Sequence, residues 1–146
     1  MALSDYYANQ TVISGTDGFV TGFIPHDFNS LKSCVLRFNP QINDLAWRIT
    51  INVMAGAVNE LYNTMTSGPV DHDVNVTQYE VFEVNITDDM PDGIAANDYF
   101  GVNINNALGP NDLYFMGMNL TYLSTNVQDG IVHEIEKFYH APEGIL

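Results

Sequence analysis

The chain has 146 residues, which is enough for one domain to bury its own core without a disulfide or a structural metal. It carries 4 Lys and Arg residues against 18 Asp and Glu residues, a formal net charge of −14, and no lysine or arginine lies between Arg48 and Lys137. Nucleic-acid phosphates and anionic membrane surfaces bind through basic side chains, so this composition argues against both partners and leaves basic proteins, cations and neutral surfaces such as sugars.

The N-terminal part of the chain predicts a polar arm followed by two strands. Residues 1–16 are mostly small and polar, and we expect an arm that becomes ordered against a neighbouring subunit. Alternation predicts a first strand at 18–25 and a second at 33–38, with a turn at 26–30 between them. Cys34 is the single cysteine of the chain, and its place in the second strand predicts that it points into the core.

The clearest strand in the sequence is predicted at 46–54. Its residues alternate with a strict period of two, which is typical of a strand with one buried and one solvated face. The expected buried set is Trp47, Ile49, Ile51 and Val53, and the expected solvated set is Arg48, Thr50 and Asn52.

The middle of the chain is less regular. Residues 55–62 fit either a helical turn or a crossover between sheets, and residues 63–69 have the composition of a loop. A further alternating strand is predicted over 74–85. The segment 87–93 is interpreted as a cap and turn that leads into a short helical piece before Asp98.

The last strands are predicted at 99–104 and 113–123. In the longer one, Gly117 lies opposite a row of large side chains, where another backbone can approach closely. Residues 131–140 fit either an edge strand or a short amphipathic helix, and we favour an extended tail that docks on a neighbouring subunit. The row of large side chains is Tyr114, Met116, Met118, Leu120 and Tyr122.

Together these elements predict an all-β fold, an antiparallel β-sandwich of the jelly-roll type with an extended N-terminal arm and C-terminal tail. We divide the chain into an arm at 1–16, the sandwich at 17–123, and a C-terminal tail or extra edge strand at 124–146. The predicted core residues are Trp47, Ile49, Ile51, Phe82, Met116 and Leu120.

The sequence contains no pattern that predicts a catalytic site. It lacks the Gly-x-Ser-x-Gly nucleophile elbow, the Walker loop and the dinucleotide fingerprint. It also lacks the His-x-His pair of a cupin-like metalloenzyme, and the acidic segment 71–73 around His72 is interpreted as a solvated loop. We therefore expect no catalytic residues and a protein that is not an enzyme.

One cluster of carboxylates is a candidate for cation binding. Calcium takes carboxylate and carbonyl oxygens in acidic loops of this kind, but we favour the alternative of helix capping and turn formation. Apart from a calcium ion at this cluster, no cofactor is expected. The candidate ligands are Asp88, Asp89, Asp92 and Asp98.

Five segments in order resemble a small jelly-roll domain found in structural proteins of tailed bacteriophages and related environmental viruses. They are Gly-Phe-Val-Thr-Gly-Phe-Ile-Pro (18–25), Ala-Trp-Arg-Ile-Thr-Ile-Asn-Val (46–53), Glu-Val-Asn-Ile (83–86), Gly-Ile-Ala-Ala-Asn-Asp-Tyr-Phe-Gly-Val (93–102) and Asp-Leu-Tyr-Phe-Met-Gly-Met-Asn-Leu-Thr-Tyr (112–122). The resemblance implies a virion component, either a capsid decoration protein, a minor capsid protein or a tail-associated module. It implies a trimer, assembled in the host cytoplasm, and no catalytic residues.

Two functions are carried forward from the sequence. The first is a self-associating viral structural protein that contacts the major capsid protein or another virion protein, with 1–16 and 131–146 ordered only in the assembly. The second is a carbohydrate-binding module of a tail fibre or cell-surface protein, which needs exposed aromatic side chains on one sheet face. The candidate aromatics are Tyr6, Tyr7, Tyr62, Tyr79 and Tyr99.

Overall fold

The computed structural model describes residues 11–13, 17–106, 113–124 and 131–141. Within these ranges the chain forms nine strands and one short 3-10 helix at Thr87–Asp89, and no helix is long and apolar enough to span a membrane. The strands are β1 (Thr11–Ile13), β2 (Asp17–Phe23), β3 (Phe28–Pro40), β4 (Asp44–Gly56), β5 (Met65–Val76), β6 (Phe82–Asn85), β7 (Tyr99–Asn105), β8 (Leu113–Ser124) and β9 (His133–His140).

The strands pair antiparallel in two sheets that pack as a sandwich. One sheet has the order β1-β8-β3-β6, with β9 also paired to β8, and the other has the order β2-β7-β4-β5. In both sheets the first eight strands follow the pairing order of a jelly roll, in which two Greek keys fold over one another. The predicted all-β, antiparallel sandwich of the jelly-roll type is therefore confirmed.

The core lies between the inner faces of the two sheets, and most of the predicted core residues are in it. Trp47, Ile49 and Ile51 are fully buried, as is Leu120 on the opposite sheet. The indole N–H of Trp47 donates to Asn106 Oδ1, so the largest core side chain also has its polar atom satisfied. Phe82 is only partly buried, but its ring stacks on the buried Phe38 at 5.3 Å between centroids. Cys34 is buried as predicted, and this burial raises the pKa of its thiol to about 12.

Met116 is a wrong core prediction, and the reason is a β-bulge in β8. Arg37 pairs with Gly117 and Phe38 pairs with Phe115, so Met116 is an extra residue without a partner on β3. The inward-facing positions therefore change parity at the bulge. Leu113 and Phe115 face the core before it, Met118, Leu120 and Tyr122 face the core after it, and Met116 is left half-buried outside the core.

One predicted loop and one predicted strand are also different in the structure. Strand β5 begins at Met65, inside the predicted loop at 63–69, because pairing with β4 outweighs the local preference of Gly68 and Pro69. As an edge strand, β5 tolerates a proline. The predicted single strand at 74–85 is divided into β5 and β6 by a turn, in which Tyr79 has a φ of 63° and its N–H donates to Pro40 O.

Strand β3 is longer than predicted. It begins at Phe28, within the predicted turn at 26–30, because β8 extends far enough to pair with Phe28 at its end. The carboxylate of Asp27 holds the remaining turn, since it accepts hydrogen bonds from Tyr122 Oη and Ser124 Oγ, each at 2.8 Å.

Both ends of the described chain lie along one edge of β8. Strand β1 pairs with residues 113–115 and β9 pairs with residues 117–124, so the predicted arm contributes a short strand and the tail forms an edge strand on its own chain. On β9, Tyr139 is buried between the sheets, with its ring 4.9 Å from Phe100 and its hydroxyl donating to Phe23 O at 2.7 Å. Residues 1–10, 14–16, 125–130 and 142–146 of the predicted arm and tail are outside the described residues.

Candidate functional site

The four candidate calcium ligands are not brought together. Asp89 is buried and its Oδ2 lies 2.5 Å from His72 Nε2, while the buried Asp98 accepts a hydrogen bond from the N–H of Ala95 at 2.8 Å. Asp88 and Asp92 are exposed. Among the described residues no group of three His, Cys, Asp or Glu side chains is arranged to hold a metal ion. Asp98 fits the turn-forming role that the sequence favoured.

The segment 71–73 is part of strand β5 rather than a loop. Alternation places Asp71 and Asp73 on the outer side, where Thr50 Oγ1 donates to Asp71 at 2.7 Å and Arg48 Nε donates to Asp73 at 2.8 Å. The hydrogen bond from Arg48 lowers the pKa of Asp73. His72 points the other way, toward Asp89. These contacts tie β5 to β4 and to the 3-10 helix.

The feature with the chemistry of a binding site is the outer surface of the β2-β7-β4-β5 sheet. Since Val20, Val53 and Val102 face the core, their neighbours along each strand face outward. We call this outer surface the aromatic face. It is defined by Phe19 and Phe23 on β2, Tyr99 on β7, Met54 on β4, and Tyr62 in the loop between β4 and β5.

Three of its aromatic side chains are unusually open to solvent. Phe19 is 53% exposed, Phe23 is 60% exposed and Tyr62 is 62% exposed. The ring of Phe23 makes an edge contact with Tyr99 at 5.7 Å between centroids, which fixes one side of the surface. Exposed aromatic side chains grouped in this way are typical of a surface that contacts a partner.

The strand register produces a groove across this face. Thr21, Gly101 and Met54 are cross-strand neighbours, and because Gly101 has no side chain the floor is low at that point. A cavity of about 280 Å³ lies over it. A second cavity, of about 320 Å³, adjoins the first through the shared residues Met54 and Asn103. The first is lined by Phe19, Thr21, Met54, Tyr62, Tyr99, Gly101, Val102 and Asn103, and the second by Asn52, Val53, Met54, Thr66, Ser67, Gly68 and Asn103.

The groove is uncharged although the chain carries a formal charge of −14. No lining residue of either cavity is Asp, Glu, Lys, Arg or His. An acidic residue borders the groove at one side, where the side-chain amide of Asn103 donates to Asp17 at 3.3 Å. Aromatic rings, amides and hydroxyls that carry no charge at neutral pH can bind a neutral partner.

Sequence reasoning found part of this face. Tyr62 and Tyr99 were candidates and lie on it, whereas Tyr79 is exposed in the turn between β5 and β6, and Tyr6 and Tyr7 are outside the described residues. Phe19 and Phe23 were missed as functional residues. Their signal was present, because two phenylalanines alternate with the apolar Val20 and Ile24, and each strand of a two-sheet sandwich has only one face toward the core.

Comparison with known proteins adds little to this geometry. No protein-family model and no curated protein matches the chain. Among solved structures, it is similar to the crystal structure of Thermotoga maritima 1070, with 17% sequence identity, a TM-score of 0.39, and 90% of this chain and 98% of that chain covered. A likeness of this degree carries no argument about function.

Proposed function

We propose that this chain is a non-enzymatic structural protein of a virus particle, a self-associating jelly roll that builds or decorates part of a capsid or tail. The observation that carries the proposal is the jelly-roll sandwich in which both terminal strands, β1 and β9, lie along one edge of β8, where a neighbouring copy could supply the same pairing. The resemblance to jelly-roll domains of tailed bacteriophages supports the virion location, and the sandwich fold agrees with it.

Self-association is proposed to use the terminal strands rather than the aromatic face. Strands β1 and β9 share one edge of β8, and β9 is mostly exposed, with Tyr139 as its one fully inserted side chain among the described residues. A terminal strand held mainly by its backbone ladder can be supplied equally well by a neighbouring copy, which is the geometry of strand exchange. A trimer is the simplest closed assembly, and a larger virion protein such as the major capsid protein is the expected second partner.

The first test is the molar mass of the full chain by light scattering over a range of concentrations. A stable trimer or larger closed assembly is expected. A monomer at every concentration contradicts the proposed structural role. Detection of peptides from this chain in purified virus particles by mass spectrometry tests the location independently.

Strand exchange has its own test in a cysteine pair. Leu123 and Glu134 are register partners on β8 and β9, and both face outward. In a Cys34→Ser background, the pair Leu123→Cys and Glu134→Cys is expected to form disulfides between chains, seen as covalent oligomers on a denaturing gel. Disulfides confined to single chains at the assembled concentration contradict exchange.

A further inference from the structure

We propose that the aromatic face binds a neutral glycan. This inference rests on the proposed function, in which the terminal strands join the copies and the aromatic face stays open as a recognition surface. The binding site is the groove formed by the two adjoining cavities, which crosses the strands of the β2-β7-β4-β5 sheet. Exposed rings stand on one side of it, and amide and hydroxyl groups lie along its floor and far end.

The rings supply flat apolar surfaces suited to the C–H faces of a sugar. Phe19 and Tyr62 are 53% and 62% exposed, and both border the cavity whose floor is Gly101. An aromatic side chain provides a large, rigid contact area at little cost in conformational entropy. A sugar ring that enters over Gly101 can therefore pack on these side chains without displacing any group of the protein.

The polar groups of the groove suit hydroxyl ligands. Asn52 and Asn103 are register partners on β4 and β7, and Asn103 lines both cavities. An amide side chain offers both donors and an acceptor, and the hydroxyl of Thr66, which pairs with the outward-facing Met54, also does both. Sugar hydroxyls donate and accept in the same way, so this set pairs with them without requiring a charge on either side.

Charge and size restrict the class of glycan. The lining residues are uncharged, while the molecule as a whole is strongly acidic, so an acidic glycan is repelled and gains no ion pair on arrival. The two adjoining cavities, of about 280 and 320 Å³, extend the groove beyond a single ring. The expected ligand is therefore a neutral oligosaccharide rather than a monosaccharide or a sialylated or sulfated chain.

The test uses the full chain on an array of neutral and acidic oligosaccharides, followed by calorimetric titration with the neutral oligosaccharide that gives the strongest signal. We expect Tyr62→Asn to weaken that affinity at least tenfold, about 1.4 kcal/mol. The matched control is Tyr79→Asn, because Tyr79 is 58% exposed but does not line the groove. We expect the control to bind like wild type. Gly101→Val, which fills the floor, is expected to reduce binding as Tyr62→Asn does.

The proposal is overturned by an array with no neutral glycan bound, by binding of acidic glycans alone, or by binding that Tyr62→Asn and Gly101→Val leave unchanged. Dissociation of the assembly by Tyr62→Asn also overturns it, since the face is then occupied by a second copy. The proposed structural role is judged separately by molar mass. A trimer that binds no glycan supports the structural role and contradicts the glycan proposal. A monomer that binds glycan contradicts the structural role and supports the glycan proposal.

Discussion

Gly117 lies at the β-bulge of β8, where it pairs with Arg37. Its φ is 136°, and a Cβ at this position would lie 2.5 Å from Tyr139 O and 2.6 Å from the ring of Phe138. We expect Gly117→Ala to lower the free energy of unfolding by roughly 2 kcal/mol or more, from backbone strain and the displaced β9. Urea unfolding measures this change.

The control for this substitution is Gly101→Ala. A Cβ at Gly101 meets Thr21 Cγ2 at 3.7 Å, an ordinary contact, and the backbone there has no positive φ. Its effect is expected to stay within about 0.5 kcal/mol. Equal destabilisation by the two alanines would mean that the bulge geometry is not what requires Gly117.

Asp27 gives the fold a pH dependence on the acid side. The hydrogen bond from Tyr122 lowers the pKa of this carboxyl, so its contribution to stability is present above the pKa of the unfolded chain, about 4. That contribution is lost as the pH falls through the lower folded pKa. We expect Tyr122→Phe to reduce the difference in urea midpoint between pH 6 and pH 3. A difference as large as in the wild type would show that this carboxyl is not a source of the acid sensitivity.

At the scale of the elements, β9 is paired to β8 through its backbone, and Tyr139 is its side chain buried between the sheets. Tyr139 packs on Phe100 and donates to Phe23 O, while most of the strand is exposed. Tyr139→Ala is expected to cost about 3 kcal/mol, as for other buried aromatic truncations, and to remove hydrogen-exchange protection from β9 before β2 and β7. The exposed Glu136→Ala on the same strand is the control and should leave exchange unchanged. Uniform loss of protection across both sheets would contradict an anchoring role.

The elements also differ in how far the sequence could predict them. Strand β4 was predicted correctly because its period of two is uninterrupted and its apolar side chains are large. Strand β5 was mistaken for a loop at its start, since Gly68 and Pro69 have loop preferences that only the pairing with β4 overrides. The parity change at Met116 could not be predicted, because a bulge is set by the register between β8 and β3 and leaves no fixed pattern in a single strand.

At the scale of the whole molecule, the sequence was sufficient to predict the class of fold but not the aromatic face. Alternating strands and turn clusters were sufficient for an antiparallel sandwich, whereas the strand order depends on contacts distant in sequence. The aromatic face likewise joins Phe19, Tyr62 and Tyr99 from three separate segments. The calcium candidates were adjacent in sequence, yet folding directs Asp89 toward His72 and Asp98 into a turn.

The central claim is that the protein assembles while its aromatic face stays open. The measurement that tests it most directly is the molar mass, by light scattering, of the wild type beside the double variant Phe19→Ser/Tyr62→Asn. We expect both proteins to form the same trimer or larger assembly, because we propose that the terminal strands hold the copies together, and the altered side chains are exposed. A wild-type monomer, or a double variant that dissociates while the wild type assembles, would contradict the account.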